Sequence, residues 1–348
     1  MDQSRRKNRV SVTDVAKAAG VAPITVSRVT NTPEQVRPAT RAKVEAAMKA
    51  LGYRPNRAAR TLRTGQTHNI GLIVRKEPGA GDSAIIESAA VDAFELSYTI
   101  TLALVPDDNP TTLRETMEKL LDMGVAGVIV SAESKSFPYE VLDDYPQVTI
   151  VTLGGVFSGL SANIMEVSID QELGARLATQ RLIDLGHRNI RHVAGPVTSP
   201  SAQIRRDTWH ETMERNGLET PEPIQAAGWT ASDGYAAGEL LLADGGCTAV
   251  FAANDFIAFG IANAYREHGK RIPEDLSVIG FDDYPNPYVW HNQLDSVRQD
   301  FHKQSRAAIE RIIACNEQGE SERYSIRISP TLVLRGSTAA AHLTGDEA

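Results

Sequence analysis

The chain has 348 residues, 42% hydrophobic and 23% charged, which allows two or three domains with cores of their own and is ordinary for a globular protein. No uncharged apolar run approaches the roughly 18 residues of a membrane span. The N-terminal Met-Asp-Gln-Ser-Arg-Arg-Lys-Asn-Arg lacks the apolar stretch of a secretory signal, and Cys247 and Cys315 form no CxxC or zinc-ligand spacing. A cytoplasmic protein with reduced thiols is therefore expected, away from any membrane. Charge is divided unevenly: residues 1–65 hold fourteen basic residues against four acidic ones, a balance of +10, whereas the remaining 283 hold 22 basic and 40 acidic, a balance of −18. That asymmetry predicts a module that binds a polyanion, attached to a body that the same polyanion repels.

The first elements follow within that basic segment. Ser11-Val-Thr-Asp14 has the form of a capping box, and Val12, Val15, Ala16 and Ala19 make one apolar stripe behind it. Gly20 supplies the turn, and Pro23 suits the first turn of a second helix in which Val26 and Val29 face the first. Pro23, Ile24, Thr25, Ser27 and Arg28 are then left for a partner. A third helix starts near Pro38, carries Val44, Ala47, Met48 and Leu51 on one stripe, and ends at Gly52. The pattern predicts a helix-turn-helix whose second helix enters the DNA major groove. Residues 52–65 contain four arginines and no stripe wide enough for an isolated helix. They read as a linker that becomes helical when paired with its twin on DNA, or as an ordinary flexible linker.

Val15-Ala-x-x-Ala-Gly-Val21, Thr25-Val-Ser-Arg-Val29, Asn31, Val44-x-x-Ala-Met48 and Gly52-Tyr-x-Pro-Asn-x-x-Ala59 resemble the lactose/galactose repressor family, and the resemblance runs on through nearly the whole chain. It implies a homodimer that binds double-stranded operator DNA and responds to a small effector, most readily a sugar, with derepression as the expected sign and corepression as the alternative. By the same resemblance Thr25, Ser27 and Asn31 match phosphate contacts, and Arg28 matches a recognition-helix arginine. Pro23 and Ile24 stand at the base-selecting positions, and Tyr53, Asn56, Arg57, Ala59 and Leu62 belong to the DNA-binding hinge, with Leu62 as a minor-groove wedge. Two departures stand out. Pro23 and Ile24 have no hydrogen-bonding side chain, so base choice there falls to apolar contact and shape, and Ala22 replaces the usual serine cap.

Beyond the linker, short β-branched runs alternate with amphipathic segments. Strands are predicted at Asn69–Val74, Thr99–Val105, Gly127–Ser131, Val148–Thr152, Ile190–Ala194, Ala249–Ala252 and Leu276–Gly280, and helices at Thr111–Met123, Gln171–Leu185 and Ala202–Asn216. This alternation predicts parallel sheets covered by helices, with ligands beyond the carboxyl ends of the strands. With the family resemblance, which implies a pair of lobes like the periplasmic binding proteins with the effector between them, the fold class expected is an all-α helix-turn-helix domain followed by an α/β two-lobed effector domain. The expected division is 1–52 for the DNA-binding domain, 53–67 for the hinge and 68–348 for the body. Within the body, lobe 1 takes about 68–168 and 299–325, and lobe 2 takes about 169–298 and 326–340. Arg205, Asn254, Asp282 and Trp229 have the chemistry of a polyol site, bidentate groups for hydroxyls and a flat face for C–H groups. The resemblance adds Ser201, Gln299 and Phe301 to that effector set. Asp255 and Asp283 read as structural.

Enzymatic signals are weak: there is no P-loop, GxSxG, HExxH or GxGxxG after the first strand, and no catalytic residue, metal or cofactor is expected. An enzyme or carrier acting on a sugar with the same two-lobed fold is the alternative reading. The segment after the first strand and Gly154-Gly155 leave the first-lobe half of the pocket poorly specified. The tail from Ser337 has no leucine heptads, which favours a dimer over a tetramer.

Overall fold

The computed structural model describes residues 10–54, 67–76, 80–154, 163–284, 293–318 and 324–341, and divides the chain into two compact units, Met1–Gln66 and Thr67–Ala348. The first unit is built on three helices: α1 (Val12–Ala19), α2 (Pro23–Asn31) and α3 (Pro38–Leu51). At the start of α1, Asp14 N–H donates to Ser11 Oγ at 3.2 Å and Ser11 N–H donates to Asp14 Oδ2 at 2.9 Å, the reciprocal box that satisfies two first-turn amides. Gly20 ends the helix at φ 64°, in the left-handed region that glycine enters without strain. Ala22 caps α2 with no side-chain hydrogen bond, as its methyl requires. Val15, Ala16, Val26, Val29, Val44 and Ala47 form the core, with Val12, Ala19 and Met48 packed around it. Leu51 departs from its predicted stripe: it is 38% exposed at the last turn of α3, while Met48 before it and Tyr53 after it pack against the core.

The second unit contains two six-stranded sheets. The first has the order β11-β5-β4-β3-β1-β2, from β1 (Asn69–Arg75), β2 (Thr99–Val105), β3 (Val128–Ser131), β4 (Ile150–Leu153), β5 (Ile164–Ile169) and β11 (Ser325–Ile328), and all its pairings are parallel. The second has the order β12-β10-β9-β8-β6-β7, from β6 (Ile190–Ala194), β7 (Ile224–Gln225), β8 (Ala249–Ala252), β9 (Ser277–Asp282), β10 (Asp295–Arg298) and β12 (Thr331–Val333). Among its described pairings only β10–β12 is antiparallel. The helices of the first lobe are α4 (Ala80–Glu95), α5 (Pro110–Asp122) and α10 (Phe301–Gln318), and those of the second are α6 (Gln171–Asp184), α7 (Pro200–Arg215), α8 (Ala231–Asp244) and α9 (Asp255–Glu267). Central strands are buried throughout, as in β8 and β9, because helices cover both faces of a parallel sheet. Two clusters form the core of each lobe, one on either side of its sheet. Among the described residues no helix is long and apolar enough to cross a membrane.

The chain passes between the lobes three times, after β5, after β10 and after β11. The last passage corrects the expected division: residues 326–328, assigned from sequence to lobe 2, pair in parallel with Val167–Ile169 in the first sheet. The strand predicted at Val148–Thr152 spans Ile150–Leu153 instead, and the Val148 carbonyl before it accepts from Asn163 Nδ2 at 2.9 Å. The strand predicted to end at Gly280 continues to Asp282, which places that carboxylate at the carboxyl edge of the second sheet.

Candidate functional site

A cavity of about 430 Å³ lies between the two lobes, at the carboxyl ends of strands from both sheets. The size suits one small organic molecule. Its second-lobe wall is organised around Arg205, in the second turn of α7 and almost fully buried. Arg205 Nε donates to Gln171 Oε1 at 2.9 Å and Nη1 donates to the Ala253 carbonyl at 2.6 Å, while Asp282 Oδ1 stands 3.7 Å from Nη1. The guanidinium lies 3.7 Å from the centroid of the Phe281 ring. Burial opposes its charge and lowers its pKa, and Asp282, Glu133 and Asp255 offset that penalty in part.

Asp282 is the counterpart. Gln299 Nε2 donates to its Oδ1 at 2.7 Å, and Gln171 Nε2 donates to Gln299 Oε1 at 2.8 Å. Arg205, Gln171, Gln299 and Asp282 therefore form one relay, with Gln171 and Gln299 seated at two of the three passages between the lobes. Burial pushes the Asp282 carboxyl up to about 6; Arg205 and Gln299 pull it down, and the Glu133 and Asp82 carboxylates push it further up. Asp82, Glu133 and Asp282 all line the cavity, so three carboxylates converge on it.

Trp229 and Asn254 complete this wall. Asn254 caps α9, accepting from Ile257 N–H at 2.8 Å, and its Nδ2 donates to the Trp229 carbonyl at 3.2 Å. The Trp229 ring lies over Gly195, where any side chain would collide with it. Phe301, at the start of α10, supplies a second aromatic surface. Of the expected effector residues, the structure thus brings Arg205, Trp229, Asn254, Asp282, Gln299 and Phe301 to the cavity. Ser201 is the exception. It is buried and does not line the cavity; its hydroxyl reaches the opposite lobe, donating to Glu133 Oε1 at 2.6 Å, while Ser199, the cap of α7, lines the space instead. Asp255 and Asp283, read from sequence as structural, are not among the residues that line the cavity. Asp255 accepts from Ser296 Oγ at 2.6 Å and from Tyr284 N–H at 2.8 Å, and Asp283 pairs with Arg298 and Arg335, each at 2.6 Å.

The first-lobe wall is what sequence reasoning missed. It comes from Arg75 at the end of β1, Asp82 near the start of α4, and Ser131 and Glu133 at and beyond the end of β3. Ser131 Oγ donates to Asp82 Oδ1 at 3.1 Å. The bare Gly154 now has a reason: Glu133 Oε1 stands 2.8 Å from where a Cβ would sit, so the carboxylate fills the space that the glycine leaves. The available signal was positional, since Ser131 and Glu133 come directly after a β-branched run.

In the first unit, Pro23, Ile24 and Arg28 are exposed on α2, and Thr25 and Ser27 are half-buried. Asn31 closes the same helix. Tyr53 packs against the small core, its N–H bonded to the Met48 carbonyl at 2.9 Å. Asn56, Arg57, Ala59 and Leu62 lie outside the described residues.

Residues 11–56 match the family model of bacterial regulatory proteins, lacI family, and residues 179–338 match the periplasmic binding protein-like domain. The ribose operon repressor of Escherichia coli (strain K12) is 32% identical over 328 residues, covering 93% of this chain and 98% of that protein. The chain belongs to the LacI family. The lactose operon repressor of the same organism is another relative, 31% identical over 338 residues and covering 95% of this chain and 91% of its own. Among LacI-family structures, the Lac repressor dimer bound to operator and the anti-inducer ONPF superposes with a TM-score of 0.78 at 29% identity, covering 96% of this chain and all of that one. The complex of the transcriptional regulator CelR with cellobiose gives 0.69, also at 29% identity, over 94% of this chain.

Proposed function

We propose that this LacI-family chain is a transcriptional repressor that binds operator DNA as a homodimer and changes its operator affinity when a sugar occupies the interlobe cavity. It is a regulator, not an enzyme: the relatives it matches along nearly its whole length are operon repressors. One observation carries the reading, the presence in a single chain of a basic helix-turn-helix and a ligand-sized cavity between two lobes. The site of action is the cytoplasm, where operator DNA is found. On the DNA side the contacts are assigned to Pro23, Ile24, Thr25, Ser27, Arg28 and Asn31 of α2, and to Tyr53, Asn56, Arg57, Ala59 and Leu62 of the hinge.

A sugar is favoured because the cavity offers hydroxyl partners of both kinds. Arg205 and Asn254 donate, Asp282 and Glu133 accept, and Trp229 and Phe301 present flat apolar faces. A second copy of the chain is supported by the exposed apolar residues Val91 and Phe94 of α4 and Leu102 and Leu104 of the neighbouring edge strand β2. An effector that contacts both walls stabilises one lobe arrangement over others, and its differential affinity sets the size of the switch.

The test is an electrophoretic shift with the DNA upstream of the gene that encodes the chain, at stated salt, challenged with a panel of sugars. The wild type gives a discrete complex that one sugar relieves. Arg205→Ala keeps the complex and loses the relief; equal loss of both would contradict the separation of the two sites.

A further inference from the structure

Ile24 is a large apolar residue that the core of its own unit does not use. It is 59% exposed, while that core is closed by Val15, Ala16, Val26, Val29, Val44 and Ala47. It follows Pro23 in the first turn of α2, and Ala22 before them gives no side-chain cap. From residue 22 to residue 24, then, no side chain of the helix start can donate or accept a hydrogen bond. Arg28 is exposed four residues later, on the same face and one turn away. The surrounding residues 1–65 carry a balance of +10, so the partner of this surface is a polyanion.

The N-terminal residues of a recognition helix meet base edges in the major groove. The apolar group displayed there is the 5-methyl of thymine, and methylated cytosine carries the same group at the same ring position. Arginine, in turn, pairs bidentately with guanine O6 and N7. A helical turn rises about 5.4 Å, against about 3.4 Å per base pair, so side chains one turn apart reach base pairs about one or two steps apart. We infer that Ile24 reads the 5-methyl group of one pyrimidine in each operator half-site, with Arg28 on a guanine one or two base pairs away. This inference rests on the operator-binding function proposed above. It means that thymine at that position is selected for its methyl group and not for its hydrogen-bonding edge. It also means that methylation of a cytosine placed there strengthens binding.

The full-length protein is used to enrich a site from a pool of random-sequence duplexes, and that site is resynthesised with deoxyuridine in place of each thymidine in turn. The replacement removes a methyl group and leaves every hydrogen-bonding atom. Wild-type affinity is expected to fall about fourfold for the methyl of one half-site and about fifteenfold for both, at one symmetric position. Ile24→Ala, a change at an exposed side chain, binds the thymine and uracil forms of that position equally, and Ile24→Val retains part of the difference. Equal binding of the two forms by the wild type, or an undiminished difference in Ile24→Ala, overturns the inference and leaves operator binding standing. A pool from which no sequence is enriched overturns operator binding itself, and the inference with it.

Discussion

Asp282→Asn tests whether the cavity's charges are arranged as described, and it does so through stability. The unfolded chain ionises this carboxyl near 3.8, whereas burial holds it protonated in the folded protein up to about 6. Below the lower value both states carry the proton. As the pH rises through the interval only the folded state keeps it, and the unfolded state gains the ionisation that the folded state is denied. A raised carboxyl therefore contributes stability that is present in acid and lost as the pH climbs to about 6. One pKa unit corresponds to about 1.4 kcal/mol, so the loss from this residue is about 3 kcal/mol between pH values of about 4 and about 7. Asparagine removes the titration together with the carboxylate beside Arg205 and the charge that helps raise Asp255, but it keeps an oxygen for Gln299 Nε2 and tolerates the φ of 106° at this position better than most residues. Urea unfolding of both proteins at several pH values across that range gives the comparison. The variant starts with an offset, because Arg205 has lost its carboxylate, but its stability relative to the wild type should rise by about 3 kcal/mol as the pH rises. Parallel profiles would refute the assignment of Asp282 as a buried acid under the influence of Glu133 and Asp82.

Two further outcomes follow from the packing. At Gly260 a Cβ would overlap the Ala231 carbonyl and the Tyr235 amide, backbone atoms of the facing helix that cannot step aside, so Gly260→Ala should cost about 3 kcal/mol in urea unfolding; an unchanged midpoint would mean that α8 and α9 are not in backbone contact. At the start of α2, Ala22→Ser supplies the missing cap and should stabilise the helix by about 1 kcal/mol, which slows hydrogen exchange of its amides about fivefold in the full-length protein. Unchanged exchange would show that another group already satisfies those amides.

The DNA-binding unit was nearly all legible from the chain because its determinants are local. The Ser11–Asp14 box, the turn at Gly20 and the stripe through Val15, Ala16, Val26 and Val29 each act over a few residues, and each lies where its spacing predicts. Leu51 departs because a periodic stripe cannot say which of its members the partner surface covers. The body shows the same boundary more sharply. β1, β6 and β8 were readable as short apolar runs, whereas β5, β7, β10, β11 and β12 were not predicted; β10 (Asp-Ser-Val-Arg) and β11 (Ser-Ile-Arg-Ile) mix polar and apolar residues and are defined by the strands they pair with.

By itself, then, the sequence determined the helix-turn-helix, the alternation that builds two sheets, and the second-lobe chemistry of Arg205, Trp229, Asn254 and Asp282, since these stand at strand ends or close to the starts of helices. Tertiary structure alone decided which residues oppose them. Arg75, Asp82, Ser131 and Glu133 stand far from that set in sequence and meet it only because the chain passes between the lobes three times. It also decided that Ser201 bonds to Glu133 across the lobes and that Gly154 is bare so that the carboxylate has room. The physical reason is range. Helix caps, turns and hydrophobic periods are enforced by neighbours within a turn or two, whereas a cavity between lobes is enforced by contacts between residues about a hundred positions apart, whose pairing no local pattern encodes.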